Sequence, residues 1–384
     1  MNWACGRFWG CFAVVGLGAF LAPAVLPGDS PSVGVVAPGW TVEPVASGFS
    51  ASALDLEQDS SGTEHLVYFD SSTNEIEYRR RTAPGVWEDG LFPYVGFMPL
   101  LAFDPVDSKA YVLFVENVTG NLKLAWRGAG GAWTSDIALS GELVQRLSFE
   151  MRDGTAHIAF TNANCELKYR HFDMDGFSYT IPLDQCAYPD VAEPALAVRS
   201  DGLPRISYNL AGALYYALTT DTVDWGVQLV DDSSANVGMW SSLALAADGT
   251  PHVSYQNTTE GTLVYATKSF FTWVHSPADD GTGAVAAWTS LALDPVSGRP
   301  RIAHHGFSCD VCFAARQAGG TWTRTVVVDT PVLTRTRKLI LAANGEARIA
   351  YATDEGVDVA FQSLILFVDG FESGNTSAWS VVLP

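Results

Sequence analysis

Seven ring-bearing side chains recur along this chain at a nearly fixed interval, each closing a short β-rich run. They are Tyr68, Phe114, Phe160, Tyr208, Tyr255, His304 and Tyr351, with gaps of 46, 46, 48, 47, 49 and 47 residues. Such a period marks an array of similar units, each of which buries its apolar face only by stacking on its neighbours. The fifth unit displays the parts in order. Leu243-Ala244-Leu245 is strand a, Asp248-Gly249 a turn, and His252 to Tyr255 strand b. A polar turn with Asn257 and Gly261 precedes strand c, Leu263 to Ala266, and strand d begins at Trp273. The alternation has period two, and the breaks carry Gly, Asp and Asn.

A second series gives the same count. Trp40, Trp87, Trp133, Phe177, Trp225, Trp273 and Trp322 lead the outer strands, at gaps of 47, 46, 44, 48, 48 and 49. Four antiparallel strands in each repeat predict an all-β, seven-bladed β-propeller over residues 39–361. The last unit, Leu339 to Phe361, has no tryptophan strand after it, whereas Trp40 precedes the first complete set. The segment Gly39 to Val45 is therefore expected to complete the seventh blade and cover an open edge. Leu364 to Val368 is the competing strand for that edge.

Residues 1–24 read as a secretory signal peptide. Arg7 precedes the uncharged apolar run Phe8 to Leu21, and Ala22-Pro23-Ala24 supplies a small-residue cleavage pattern. An N-terminal membrane anchor is the alternative. Residues 25–38 read as a linker and 362–384 as a tail that carries an extra strand or a sorting segment. The expected location is secreted or cell-surface, with no membrane span once the signal is removed and a monomeric state. The formal charge of −20 argues against nucleic-acid binding.

Features shared by all repeats serve the repeat, so candidate sites are sought where the pattern breaks. A Gly stands three residues before the leader of strand b in six units (Gly62, Gly154, Gly202, Gly249, Gly298, Gly345), and Ser108 replaces it in the second. The His or Arg that follows reads as a turn tie. Strand a carries small residues at Ala102, Ser148, Ala197, Ala244 and Ala292, and Asp55 breaks that series. The b–c turns offer Asp70, Glu116, Asn162 and Asn257 as ligand-binding candidates. Arg146 and Lys338 open strands a, and Trp240 and Trp288 lie just before two others, where exposed rings suit sugar or peptide stacking. Turn capping and inter-blade packing are the competing readings. Cys165 and Cys186 flank a hairpin and are expected to form a disulfide. Cys309-Asp310-Val311-Cys312 follows His304-His305, and a local disulfide is expected there, with zinc as the alternative. No metal or cofactor is assigned, and no nucleophile elbow, P-loop or dinucleotide fingerprint occurs.

The segments HLVYFD (65–70), LKYR (167–170), SLALAADGTPHVSY (242–255), LVYA (263–266) and SLALDP (290–295) resemble a broad family of secreted bacterial propellers. Those repeats read roughly SLALDxxGxPHISYYD, LKYA, W and VD, and are grouped loosely with sialidase-like propellers. The tail LFVDGFESGNTSAWS (366–380) is similar to a DGFESGDTSAW segment that ends many exported proteobacterial proteins. The resemblance implies the fold and an extracytoplasmic location. The sialidase Asp-box is absent, so no catalytic residue is carried over. The leading expectation is a non-catalytic module that binds carbohydrate or a protein partner on the loop face. A glycan-active hydrolase or lyase using Asp55, Asp70 or Glu116 is the alternative.

Overall fold

The computed structural model describes residues 35–127, 131–185, 193–234, 236–279, 287–306, 309–329 and 337–363. Strands account for most of them and form seven antiparallel sheets, each made in the main from one sequence repeat. The chain is a seven-bladed β-propeller. The fifth sheet is typical, with Val237–Leu245, Pro251–Asn257, Thr262–Ser269 and Thr272–Asp279 as strands a to d from the inside outward.

Two sheets differ. Leu339 lies in the inner strand of the seventh sheet, Arg337–Leu341, whose outer strand is Trp40–Ser47, paired antiparallel with Gly356–Gln362. Val35 and Val36, in the stretch read as a linker, add a fifth strand to the sixth sheet by pairing with Asp329 and Val328. The competing strand Leu364 to Val368, the signal segment and the rest of the tail lie outside the described residues.

Both marker series have a packing cause. The leading Trp of strand d meets an aromatic of strand c in the preceding blade: Tyr78–Trp133, Tyr169–Trp225, Tyr216–Trp273, Tyr265–Trp322 and Phe313–Trp40, with centroids 5.1–5.3 Å apart. Edge-on or tilted contacts of this kind add to the gain from burying the rings. The strand b marker sits in the core, and where it is a tyrosine its hydroxyl can reach back one blade. Tyr208 donates to Asp184 Oδ2 at 2.9 Å and Tyr255 to Asp231 Oδ2 at 2.5 Å. In the sixth blade the shorter His304 stands 3.4 Å from Asp279, and Arg324 from strand d closes on the same carboxylate at 3.1 Å.

The His/Arg series is a set of turn and strand ties. His65, His157 and His252 each place Nδ1 within 2.5–2.7 Å of a strand c tyrosine hydroxyl. Arg205 and Arg301 donate to the strand c carbonyls of Thr219 and Arg316. Burial pushes His157 down to about 3 and His252 to about 4, so both are neutral struts at ordinary pH.

The seam between the seventh and first blades is reinforced by charge. Hydrophobic packing there runs from Leu54, Leu56 and Tyr68 to Ile340, Val359 and Phe361. Around it, Lys338 binds Asp55 at 2.9 Å and Glu57 at 2.8 Å, Arg348 binds Glu64 at 3.2 Å, and Arg81 holds Glu43 through two nitrogens at 2.6 and 2.8 Å.

The a–b turns explain the glycine series: Gly249, for example, has φ of +83°. Ser108 adopts the same left-handed region at +53°, although it has a Cβ. That conformation costs an L-residue roughly 1–2 kcal/mol. Ser108→Gly is therefore expected to stabilise the protein by about 0.5–1 kcal/mol after the glycine's extra unfolded-state entropy is deducted. Urea unfolding would check this, with the midpoint rising and the slope unchanged.

Candidate functional site

The b–c turns and the starts of strands a lie on one face of the ring, and strand a of each blade descends from that face. Near its start strand a is bulged. Register shifts fall between Phe97 and Leu100, Met239 and Ser242, and Ala287 and Ser290. The first extra residue in each bulge is left-handed: Met98 (φ +55°), Trp240 (+48°) and Trp288 (+47°). A bulky side chain in this region is uncommon and marks stored strain.

Two of these three slots hold tryptophans on adjacent blades, and the rings meet. The Trp240 and Trp288 centroids are 5.4 Å apart at an interplanar angle of 43°, and His305 presents its ring to Trp288 at 6.3 Å. Trp288 is 38% exposed, the most exposed tryptophan among the described residues. The second bulge residue pins each backbone. Thr289 Oγ1 donates to the Trp240 carbonyl at 2.8 Å and shares a hydrogen bond with Ser254 Oγ, also at 2.8 Å. Ser241 and Ser207 repeat the pairing one blade earlier, at 3.0 Å.

Polar groups continue the rim. Glu193 accepts the Trp240 backbone N–H and receives Arg146 Nε at 3.2 Å. Burial pushes the Glu193 carboxyl up, opposed by Arg146 and that N–H. Arg146, Glu193, Trp240, Trp288 and His305 thus run as one line across the third to sixth blades. His305 donates from Nδ1 to the Asp310 carbonyl at 3.3 Å, which couples it to the next turn. There Cys309 and Cys312 are joined as a disulfide. Cys165 is also disulfide-bonded, but its expected partner Cys186 lies outside the described residues. Among the described residues no group of three or more His, Cys, Asp or Glu is placed to hold a metal ion.

The remaining sequence candidates go elsewhere. Asp70 accepts Ser72 N–H at 2.7 Å and its hydroxyl at 2.6 Å. Asn162 Oδ1 accepts the N–H groups of Asn164 and Glu166, and Asn257 Oδ1 accepts Glu260 N–H and the Ser234 hydroxyl. Glu116 is bound by Lys123 and Thr119 within its own hairpin. All four are occupied as turn residues. Asp55 is 5% exposed and accepts Leu56 N–H at 3.0 Å and Leu101 N–H at 2.9 Å, besides its Lys338 contact.

Deeper in the ring, strand a carries charges that sequence reading passed over. Glu57 and Glu150 come from the first and third blades, at the same register level as Ala102 of the second. Glu150 accepts Val198 N–H at 2.7 Å from the fourth blade and meets Arg152 at 3.4 Å. Burial pushes the Glu150 carboxyl up to about 7 and the Glu57 charge adds to this, against the Val198 and Arg152 contacts.

No family model matches the chain, and no curated protein does. Among solved structures it is similar to the BP39L lectin from Burkholderia pseudomallei, with TM-score 0.59 and 14% identity over 80% of this chain and 98% of that one. Virginiamycin B lyase from Staphylococcus aureus gives 0.57 and 10% over 85% and 99%, and AofleA from Arthrobotrys oligospora 0.51 and 12% over 75% and 90%.

Glu150 makes stability depend on pH with a definite sign. Its ordinary value is 4.5, so between about 4.5 and 7 the folded protein holds a proton that the unfolded chain has released. This group's contribution to stability is therefore fully present below that window and is lost as pH rises through it. Glu150→Gln should flatten this part of the profile and gain stability relative to the parent at pH 8, as read by thermal melts across pH. What the chain shares with its structural neighbours, at 10–14% identity, is the propeller fold.

Proposed function

We propose that this chain is an exported, non-catalytic carbohydrate-binding propeller whose saccharide site is the Trp240–Trp288–His305 platform. The observation that carries the reading is the adjacent pair of tryptophans held in left-handed bulges, with Trp288 partly open to solvent. An indole face suits the C–H-rich side of a sugar ring, and a few fixed polar groups beside it suit the hydroxyls. Arg146 and Glu193 are those groups. Paired to each other, they offer donors and acceptors with little net charge, which favours a neutral sugar over an anion. The propeller fold serves lectins and lyases alike, so the argument rests on the site.

A glycan-active hydrolase is the competing reading. It requires two carboxyls separated by roughly 5–5.5 Å or 6.5–9.5 Å. Both oxygens of Asp55, its first candidate, are engaged by backbone N–H groups and Lys338, and this favours binding.

The test combines a glycan array with titration calorimetry on the best hit. Trp288→Ala is expected to weaken binding at least about tenfold, or 1.4 kcal/mol, while the melting temperature changes little. Failure to bind any glycan, or unchanged affinity in both Trp240→Ala and Trp288→Ala, would contradict the proposal. Turnover of chromogenic glycosides that is lost in Asp55→Asn would favour the hydrolase instead.

A further inference from the structure

The opposite face carries a feature that the saccharide reading does not use. In the fifth blade, strand c ends at Ser269 and strand d starts at Thr272, which leaves Phe270 and Phe271 as a two-residue turn. Both residues are 94% exposed. Phe270 has φ of +55°, the left-handed conformation that favours glycine in so short a hairpin. The corresponding turns of the first, third and sixth blades place Gly85, Gly176 and Gly320 in that region. Local turn chemistry and solvation both disfavour phenylalanine here, and such a conflict points to selection for something other than folding.

The tip has neighbours. The c–d turns of the third and fourth blades expose Phe177 (61%) and Val223 (57%) on the same face. The three hairpins are tied sideways, by Tyr179 donating to Thr222 Oγ1 at 2.5 Å and Lys268 to Gln228 Oε1 at 2.8 Å. The result is a fixed arc of convex apolar points separated by polar chain.

We propose that this arc, led by Phe270 and Phe271, seats the propeller on a zwitterionic lipid surface. Spaced convex tips on a rigid frame do not match one concave protein pocket, whereas a fluid interface closes around each of them. Exposed aromatic side chains partition into the headgroup region. Charge selects the lipid: Asp175, Asp221 and Asp224 flank the Phe177 and Val223 tips and outnumber Lys268 beside Phe270, in a chain of net charge −20. Acidic flanks complement the outward ammonium of phosphatidylcholine and are repelled by anionic headgroups. The tips lie on the face opposite the tryptophan platform, so the proposal does not depend on saccharide binding.

Vesicle flotation of the purified protein tests it, with phosphatidylcholine alone and with phosphatidylserine added. The parent is expected to float with phosphatidylcholine and less with the mixture. Phe270→Gly/Phe271→Ser is expected to lose at least tenfold in partitioning while its melting temperature stays equal or rises, because glycine relieves the turn. A parent that stays with the soluble fraction would overturn the proposal and leave the tip to a protein partner. Equal flotation of the double variant would overturn it by placing the anchor elsewhere. A melting temperature that falls in the variant would also overturn it, by making the phenylalanines part of the fold.

Discussion

Every blade of a propeller presents a raw edge to the axis, and the structure depends on how that edge is satisfied. Strand a pairs on one side only, so its outward N–H groups need partners from elsewhere. At four of the seven boundaries this chain supplies them from the preceding blade. Asp55 accepts the Leu101 N–H, Ser148 that of Leu196, Glu150 that of Val198, Ser242 that of Leu291 and Ser290 that of Leu339. Each bond crosses a blade boundary at a separation of 46–49 residues. The inner layer is thus stitched in the same direction in which the chain winds, and the aromatic contacts of strands c and d do the same further out.

The seam is where this stitching must join the two ends of the described ring, and charge is concentrated there. Lys338, Arg348 and Arg81 meet carboxylates of the adjoining blade on successive strands. Ion pairs of this sort contribute little net stability once desolvation is counted, but they penalise a wrong register. Trp40 adds a shape term by packing on Phe313 as Trp133, Trp225, Trp273 and Trp322 pack on their tyrosines.

The fold was legible in the sequence because each marker is a contact that most blades repeat. The tryptophan spacing records an aromatic pair, and the glycine spacing records a left-handed turn. The site was legible only in part. Trp240 and Trp288 stood out because they precede two adjacent strands, but the bulge that strains them has no sequence signature. Asp55 looks out of place only when set against Ala102 and Ala244, which stand nearer the a–b turn; pairing sets it beside Val67, level with Ser148, Ser242 and Ser290. Glu193 sits ahead of an inner strand, where no motif singles it out. Phe270 and Phe271 fall in the gap that the sequence leaves between strands c and d, where no Gly, Pro, Asn or Asp marks the turn.

Because the repeat positions are spent on holding the ring, the residues left over define what the protein presents to its surroundings: a tryptophan platform on one face and an apolar arc on the other. That division rests on the cross-blade stitching. Native-state hydrogen exchange by NMR tests it most directly, at the inner-strand amides of Leu101, Leu196, Leu291 and Leu339. They are expected to be as protected as amides in the middle strands, with Ser242→Ala releasing Leu291 selectively. Exchange of these amides at the rate of exposed loops would contradict the account.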